Sequence, residues 1–213
     1  MNYSCKRGDE KMEMDMNAMK AELGGAFMVS WAVGFGLVAD DMVTAGATLA
    51  AAVGLAVVWM TFAGAHVLPV VTWCHMLTGD VGDVEGNWMA NGMRLLAQAI
   101  GATLAIVLAT EAGAIETGWA AAEFAVPETW GLLGAIAAGA VWWQVHTRCD
   151  SAWASAFGLM VLAGAMTLDG GHQMGASLAS AGDGIADVLP AWIVDGLLVG
   201  LGARVGAEID NAI

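Results

Sequence analysis

Long apolar runs alternate with short polar connections along the sequence. Six runs of about 18 or more residues are long enough to cross roughly 30 Å of hydrocarbon, and they cover residues 21–39, 43–63, 90–110, 129–146, 151–168 and 188–207. No segment of about ten residues shows the apolar and polar alternation of a membrane β-strand. Backbone N–H and C=O groups must be paired inside a bilayer, so we expect six transmembrane helices.

One motif occurs twice, each time at the end of an apolar run. Residues 60–68 read Met-Thr-Phe-Ala-Gly-Ala-His-Val-Leu, and residues 166–174, 106 positions later, read Met-Thr-Leu-Asp-Gly-Gly-His-Gln-Met. The same offset relates Glu22 to Glu128 and Gly25 to Gly131. Because three spans separate equivalent elements, the second copy enters from the opposite side of the membrane. The sequence therefore predicts inverted repeats, about 20–110 and 126–209, within a single domain formed by residues 20–213.

A short helical piece is predicted after each copy of the motif, at about 68–77 and 174–181. Neither piece is long enough to cross a bilayer, so we expect two re-entrant half-helices. Pro69 suits the first turn of such a helix, where its missing N–H is not needed, and Gly175 takes its place in the second copy. Non-helical backbone at this depth needs cover from protein or a water-lined cavity, so the motifs should line or plug a central path.

Composition supports a membrane protein, and the basic residues predict its orientation. Hydrophobic residues make up 58% of the 213 residues, only 13% are charged, and the mean hydropathy is +0.66, which is too apolar for a soluble domain. All seven Lys and Arg residues fall on one side of the predicted spans, which places both termini in the cytoplasm and makes residues 1–19 a cytoplasmic tail. The net charge of −14 argues against nucleic acid as a partner.

Several short segments resemble those of the aquaporin and glycerol-facilitator (major intrinsic protein) family. Residues 64–72, Gly-Ala-His-Val-Leu-Pro-Val-Val-Thr, are similar to the family signature Gly-x-His-x-Asn-Pro-Ala-Val-Thr. Residues 21–23, Ala-Glu-Leu, resemble the family's opening Ala-Glu-Phe, and residues 96–102, Leu-Ala-Gln-Ala-Ile-Gly-Ala, resemble its third-helix Ala-Gln-x-x-Gly-Ala. The resemblance extends over about residues 20–209.

The resemblance implies an all-α membrane protein with six transmembrane helices and two re-entrant half-helices. It also implies a homotetramer in the lipid bilayer, with a pore in each protomer that passes small uncharged solutes down their gradients. The candidate solutes are glycerol, urea, ammonia, dissolved gas and water. The tips of the half-helices would form the pore centre from Leu68, Pro69, Val70, Met174, Gly175 and Ala176.

The expected pore departs from the family pattern. Leu68 and Met174 occupy the positions of the family's two pore asparagines, and Ser177 occupies that of its constriction arginine. Neither Leu nor Met donates a hydrogen bond to water, and an unpaired polar group costs about 1–3 kcal/mol, so we expect a more hydrophobic pore that conducts water poorly. Family spacing places the outer constriction at Thr48, Leu162, Gly171 and Ser177, a small and mildly polar set.

Two histidines and two glutamates are predicted to lie near the centre. His66 and His172 either brace the loops as neutral imidazoles or line the pore and exchange protons there. Glu22 and Glu128 would be costly in lipid, so both should point inward. The resemblance implies that these two carboxylates brace the re-entrant loops by accepting backbone N–H bonds.

Two further functions stay open at this point. One is a non-conducting scaffold of the same fold, with a role in assembly or membrane adhesion. The other is a metal or proton transporter that uses His66, His172, Met174 and Cys74. The sequence contains no Ser/His/Asp array, HExxH motif, phosphate-binding glycine loop or CxxC pair, so we predict no enzyme, no cofactor and no resident metal.

Overall fold

Helices make up the protein wherever its structure is described. A computed structural model describes residues 15–34, 45–112, 120–168 and 170–212, and these residues form no strand. A π-helical turn, Val84–Met89, leads directly into the fourth α-helix. The α-helices are α1 (Met16–Gly34), α2 (Ala45–Thr61), α3 (Pro69–Thr78), α4 (Ala90–Glu111), α5 (Thr129–Cys149), α6 (Ala152–Val161), α7 (Gly170–Ala179) and α8 (Ile185–Ala212). The all-α class is therefore confirmed for the described residues.

The helices differ in whether they are long enough to cross a membrane. Among the residues that the structure describes, two helices, Val84–Glu111 and Ile185–Ala212, are long and apolar enough to cross a membrane. Each has 28 residues, which at 1.5 Å per residue is about 42 Å. The predicted span at 151–168 is wrong in its length, because α6 ends at Val161 and residues 162–165 form turns. A helix of ten residues extends only about 15 Å.

The order of packing is the same in the two halves of the chain. Helix α1 packs on α4, and α5 packs on α8 in the same way. Helix α3 packs on α8 and α7 packs on α4, so each of these two packs on the last helix of the other half, while α2 packs on α6 and α3 touches α7. Exchanging α1–α4 with α5–α8 leaves this set of contacts unchanged. The two halves are therefore related by a pseudo-twofold arrangement.

Two glycines at close helix crossings establish the register between the halves. A Cβ on Gly101 would collide with the carbonyl oxygen of Leu23, and a Cβ on Gly202 would collide with that of Ile136. Gly202 follows Gly101 by 101 residues, and Ile136 follows Leu23 by 113. The starts of α3 and α7, at 69 and 170, are also 101 apart. The uniform offset of 106 predicted from the sequence is therefore wrong.

Candidate functional site

Helices α3 and α7 meet at their N-terminal ends. Pro69 is the first residue of α3, and a Cβ on Gly171 would lie 3.2 Å from Cδ of Pro69. The first half-helix was predicted correctly to within one residue, and Leu68 and Val70 are both buried beside Pro69. A narrow cleft at this contact has a volume of about 10 Å³, which is room for about one water molecule. Its lining residues are Pro69, Val70, Thr167, Leu168, Gly170, Trp192, Asp195 and Gly196.

The loop before α3 is held by a buried carboxylate. Glu22 of α1 has no exposed surface, and its Oε1 and Oε2 accept the backbone N–H groups of His66 and Val67 at 2.7 and 2.8 Å. Arg94 donates to Oε1 at 2.6 Å and Gln98 to Oε2 at 2.7 Å, both from α4. The two backbone contacts are the ones predicted for a bracing glutamate, whereas those with Arg94 and Gln98 were not predicted, and together the four donors fix the first loop against α1 and α4.

The brace also explains an unusual backbone conformation. Val67 has a φ of +68°, a left-handed value that costs a β-branched residue roughly 1–3 kcal/mol. Its N–H is the donor to Glu22 Oε2, and its side chain is 1% exposed and packs against Gly25, where a Cβ would lie 2.6 Å from Cγ2. The strained turn is therefore maintained by a charge-assisted hydrogen bond and by tight packing.

Glu128 does not brace the second loop, so the prediction for this residue is wrong. Glu128 is exposed at the N-terminal end of α5, and its side chain makes no capping hydrogen bond. The first helices of the two halves are offset by 113 residues, as Leu23 and Ile136 are. The position equivalent to Glu22 is therefore Ala135, which has no carboxylate. The predicted pairing failed because it used an offset that does not apply to the first helix of each half.

An open groove lies where the second brace would stand. Its volume is about 330 Å³. With the offset of 101 residues, Asp195 is equivalent to Arg94 and Val199 to Gln98, and both line this groove. The complete lining is Pro127, Gly131, Ala135, Ala163, Gly164, Ala165, Met166, Thr167, Asp195, Leu198 and Val199. The two halves therefore share a backbone arrangement but differ in their polar side chains.

The predicted pore residues of the second copy do not lie at a helix tip. Because α7 begins at Gly170, Met174, Gly175 and Ala176 lie more than one turn inside it. Met174 is buried with Ala99 and Val188, and a Cβ on Gly175 would lie 2.7 Å from the carbonyl carbon of Ala102. These three residues pack α7 onto α4, so the prediction that they form the pore centre is wrong. With the offset of 101 residues that relates α3 to α7, Met174 is equivalent to Trp73.

The four predicted constriction residues are placed in different environments. Ser177 is fully buried, and its hydroxyl donates to the carbonyl oxygen of Asp183 at 2.7 Å, so it fastens the turn after α7. Leu162 follows α6 and packs on the main hydrophobic cluster, the buried apolar group that includes Trp142 and Leu159. Gly171 lies at the tip contact with Pro69. The side chain of Thr48 lies outside the described residues. The described members therefore do not form the predicted set.

The histidines show a grouping that the sequence did not reveal. The rings of His66 and His75 are stacked, with centroids 4.1 Å apart and an angle of 3° between their planes. His146 of α5 lies edge-on to His75 at 5.7 Å. His172, the predicted partner of His66, lies in the first turn of α7. His75 and His146 were not predicted to join His66, since no spacing rule relates residues that are brought together from α3 and α5.

The described residues contain no group of three His, Cys, Asp or Glu side chains suited to hold a metal ion. Cys74 is fully buried in the main hydrophobic cluster, and Met174 belongs to a different cluster. Cys74 and Met174 therefore do not share one site, as the transporter alternative required. What the site does offer is a narrow contact between the N-terminal ends of α3 and α7, a group of three stacked or edge-on histidine rings, and an open groove.

Comparisons with protein-family models, with curated proteins and with solved structures give no match for this chain.

Proposed function

We propose that this protein is a passive transmembrane channel of the aquaporin type for small uncharged solutes. The observation that carries the proposal is the contact of two short helices, α3 and α7, at their N-terminal ends inside a pseudo-twofold bundle. Such helices expose backbone N–H groups and partial positive charge at the centre of the molecule, which disfavours the passage of cations. The pore centre is then formed by Leu68, Pro69, Val70 and the first turn of α7.

The membrane setting of this proposal is six passages of the chain with both termini in the cytoplasm, and in the fifth passage the ten-residue α6 is continued by the turns that follow it. The apolar faces of the helices and the distribution of the basic residues both support this setting. Exposed apolar side chains recur every three or four residues on α2 and α4, a spacing that places them along one face of each helix. A protein in water rarely exposes such stripes, whereas lipid or a second copy in a homotetramer would cover them. They comprise Leu49, Val53, Val57 and Met60 on α2 and Leu96, Ile100, Leu104 and Val107 on α4.

A second candidate function is a non-conducting scaffold with the same fold. It is favoured by the small volume of the tip cleft, about 10 Å³, and by the contact of Gly171 with Pro69. In this case the tips close the path, and the protein serves assembly or adhesion in the membrane.

Stopped-flow light scattering on proteoliposomes distinguishes the two functions. A channel is expected to change the vesicle volume faster than empty liposomes do for at least one of glycerol, urea, ammonia and water. Traces equal to those of empty liposomes for all four solutes, from protein shown to be folded and inserted, would leave the scaffold as the function.

Leu68→Asn is expected to raise the water permeability several-fold. Leu68 is 5% exposed and directly precedes Pro69 at the tip of α3, so an amide there supplies a hydrogen-bond partner to water. The measurement is the rate of osmotic shrinkage per inserted protein. Leu133→Asn is the matched control, because it makes the same change at a half-exposed position on α5. No gain in folded Leu68→Asn protein would show that the barrier to water lies elsewhere.

A further inference from the structure

The cleft at the contact of α3 and α7, which we call the tip cleft, has its polar wall on α8. Trp192, Asp195 and Gly196 all line it, and their spacing of three and four residues places them on one face of that helix. The α3 wall of the cleft is apolar. The polar side chains that line the tip cleft therefore come from α8 and from Thr167 of the second loop.

The indole N–H of Trp192 is a buried donor in this wall. Its Nε1 has no hydrogen-bond partner among the described residues, and almost no solvent reaches it. An indole nitrogen can only donate, and the large majority of buried polar groups in proteins are paired. The wall of the tip cleft is therefore complementary to a solute that brings an oxygen atom to this N–H.

Trp73 of α3 adds a second donor close to the first. Its side chain is only 9% exposed, and its Nε1 also has no partner among the residues that the structure describes. A Cβ on Gly196, which lines the cleft, would collide with this nitrogen. Trp192 packs on the buried group formed by Trp73, Met76 and Leu95. Two indole donors without acceptors are therefore gathered around the α8 wall.

The same wall carries hydrogen-bond acceptors. Asp195 lies three residues after Trp192 and lines the cleft, and an ionised carboxylate accepts hydrogen bonds without donating any. The Thr167 hydroxyl can both donate and accept. A solute that fits this wall has an oxygen atom that accepts and an O–H or N–H group that donates. Water, glycerol and urea have both, whereas an apolar dissolved gas has no hydrogen to donate.

The tip cleft is continuous with open space. Asp195 and Thr167 line both the cleft and the groove of about 330 Å³, so the groove ends at the α8 wall. The groove is large enough for a solute such as urea, but the cleft has a volume of about 10 Å³, room for about one water molecule. A larger solute therefore reaches the indole donors from the groove only when the tips part.

The start of α7 covers the nitrogen of Trp192. A Cβ on Gly170 would lie 2.9 Å from Cδ1 and 3.8 Å from Nε1 of Trp192, and a Cβ on Gly171 would lie 3.2 Å from Cδ of Pro69. The first two residues of α7 thus touch both the indole and the tip of α3. One withdrawal of α7 would therefore widen the tip contact and uncover the N–H together.

We propose that Trp192, with Trp73 beside it, donates its indole N–H to the oxygen atom of a neutral polar solute as that solute passes the tip contact. This inference rests on the proposed channel function and narrows its solutes to water, glycerol and urea. In the closed contact the two indole N–H groups have no acceptor. A solute that enters supplies one, which lowers the barrier to its own passage.

The test replaces the N–H of Trp192 and keeps the shape of the ring. Trp192→β-(3-benzothienyl)alanine has a sulfur atom in place of the indole N–H. The full-length protein is reconstituted in liposomes, and stopped-flow light scattering gives the protein-dependent rates for water, glycerol and urea. We expect each rate to fall about three- to tenfold, the effect of one hydrogen bond lost at the barrier.

Trp192→Phe separates hydrogen bonding from space. Phenylalanine removes the donor and is also smaller, so a barrier that is only steric predicts faster passage, whereas a lost donor predicts slower passage. We expect slower passage of all three solutes, and Trp73→Phe should change the rates in the same direction. Trp130→Phe, which makes the same change at an 82% exposed ring on α5, is the matched control and should keep the wild-type rates.

Two results would overturn the inference while the wild type conducts. One is a benzothienylalanine variant that passes water, glycerol and urea at the wild-type rates. The other is a folded Trp192→Phe protein that is faster than the wild type, which would make space the barrier. If Trp192→Phe does not fold, the benzothienylalanine variant decides. A wild type as slow as empty liposomes for every solute would remove the proposed function together with this inference, and that outcome is distinct from the other two.

Discussion

Glu22→Ala is expected to lower the free energy of unfolding by about 3–5 kcal/mol, the range for breaking a buried charge pair by removing one partner. Four donors lose their acceptor: the N–H groups of His66 and Val67, the Gln98 amide and the Arg94 guanidinium. The Arg94 side chain is only 22% exposed, so water can compensate only part of its charge. Val67 would also lose the hydrogen bond that maintains its positive φ.

Unfolding of the purified protein in mild detergent, titrated with a denaturing detergent, measures this change. Glu128→Ala is the matched control, because it removes the same group from an exposed position, where substitutions stay within about 0.5 kcal/mol. Glu22→Gln should lie between the two, since it keeps one acceptor and removes the charge. Equal effects of Glu22→Ala and Glu128→Ala would mean that the bonds around Glu22 contribute little to stability.

The first half of the chain could be predicted well because its signals are local. Pro69 marks the start of a helix by its own chemistry, and a carboxylate such as Glu22 inside an apolar segment must find donors. Both features are decided by a few residues and their burial cost. The structure accordingly shows α3 within one residue of its predicted start and Glu22 bonded to the loop.

The second half was predicted less well because the two halves have different spacing. The start of α3 follows the start of α1 by 53 residues, from 16 to 69, whereas α7 follows α5 by 41, from 129 to 170. Part of the difference lies in α6, which has 10 residues where α2 has 17. A single offset cannot align repeats of unequal length, so the match of Met60–Thr61 with Met166–Thr167 gave a misleading register.

The grouping of His66, His75 and His146 was beyond prediction for a different reason. His66, His75 and His146 become neighbours only when α3 packs on α8 and α8 packs on α5, and both contacts depend on the whole bundle. No periodicity in the sequence relates a loop residue to two helix ends. Side chains that are joined by tertiary packing of this kind carry no local signal.

The unequal halves suggest different roles for the two loops. The first loop is tied to two helices by a buried carboxylate, which makes it rigid. The second loop lies beside a groove of about 330 Å³ and has Ala135 where the carboxylate would stand. A loop that borders open space meets less packing when it moves. If the tip contact opens, we therefore expect the movement to come from the α7 side.

Gly101→Leu and Gly202→Leu are each expected to destabilise the fold by about 3 kcal/mol or to prevent folding, because they force apart helices that touch backbone to backbone. A Cβ on Gly101 would meet the Leu23 carbonyl oxygen and, at 3.1 Å, the backbone nitrogen of Phe27. A Cβ on Gly202 would meet the Ile136 carbonyl oxygen and, at 3.0 Å, the backbone nitrogen of Ala140. Backbone atoms cannot rotate away as a side chain can, so α4 or α8 must move as a whole.

Folded yield and detergent unfolding measure this effect, and the pseudo-twofold arrangement predicts that the two variants behave alike. Gly134→Leu and Gly54→Leu are the controls, since a Cβ at either position has no atom within 4 Å. Leucine there should be neutral or stabilise the helix by about 0.5–1 kcal/mol, because glycine is a poor helix former. A Gly202→Leu protein as stable as its Gly134→Leu control would show that α5 and α8 do not approach this closely. The equivalence of the two halves, and the tip contact built on it, would then be wrong.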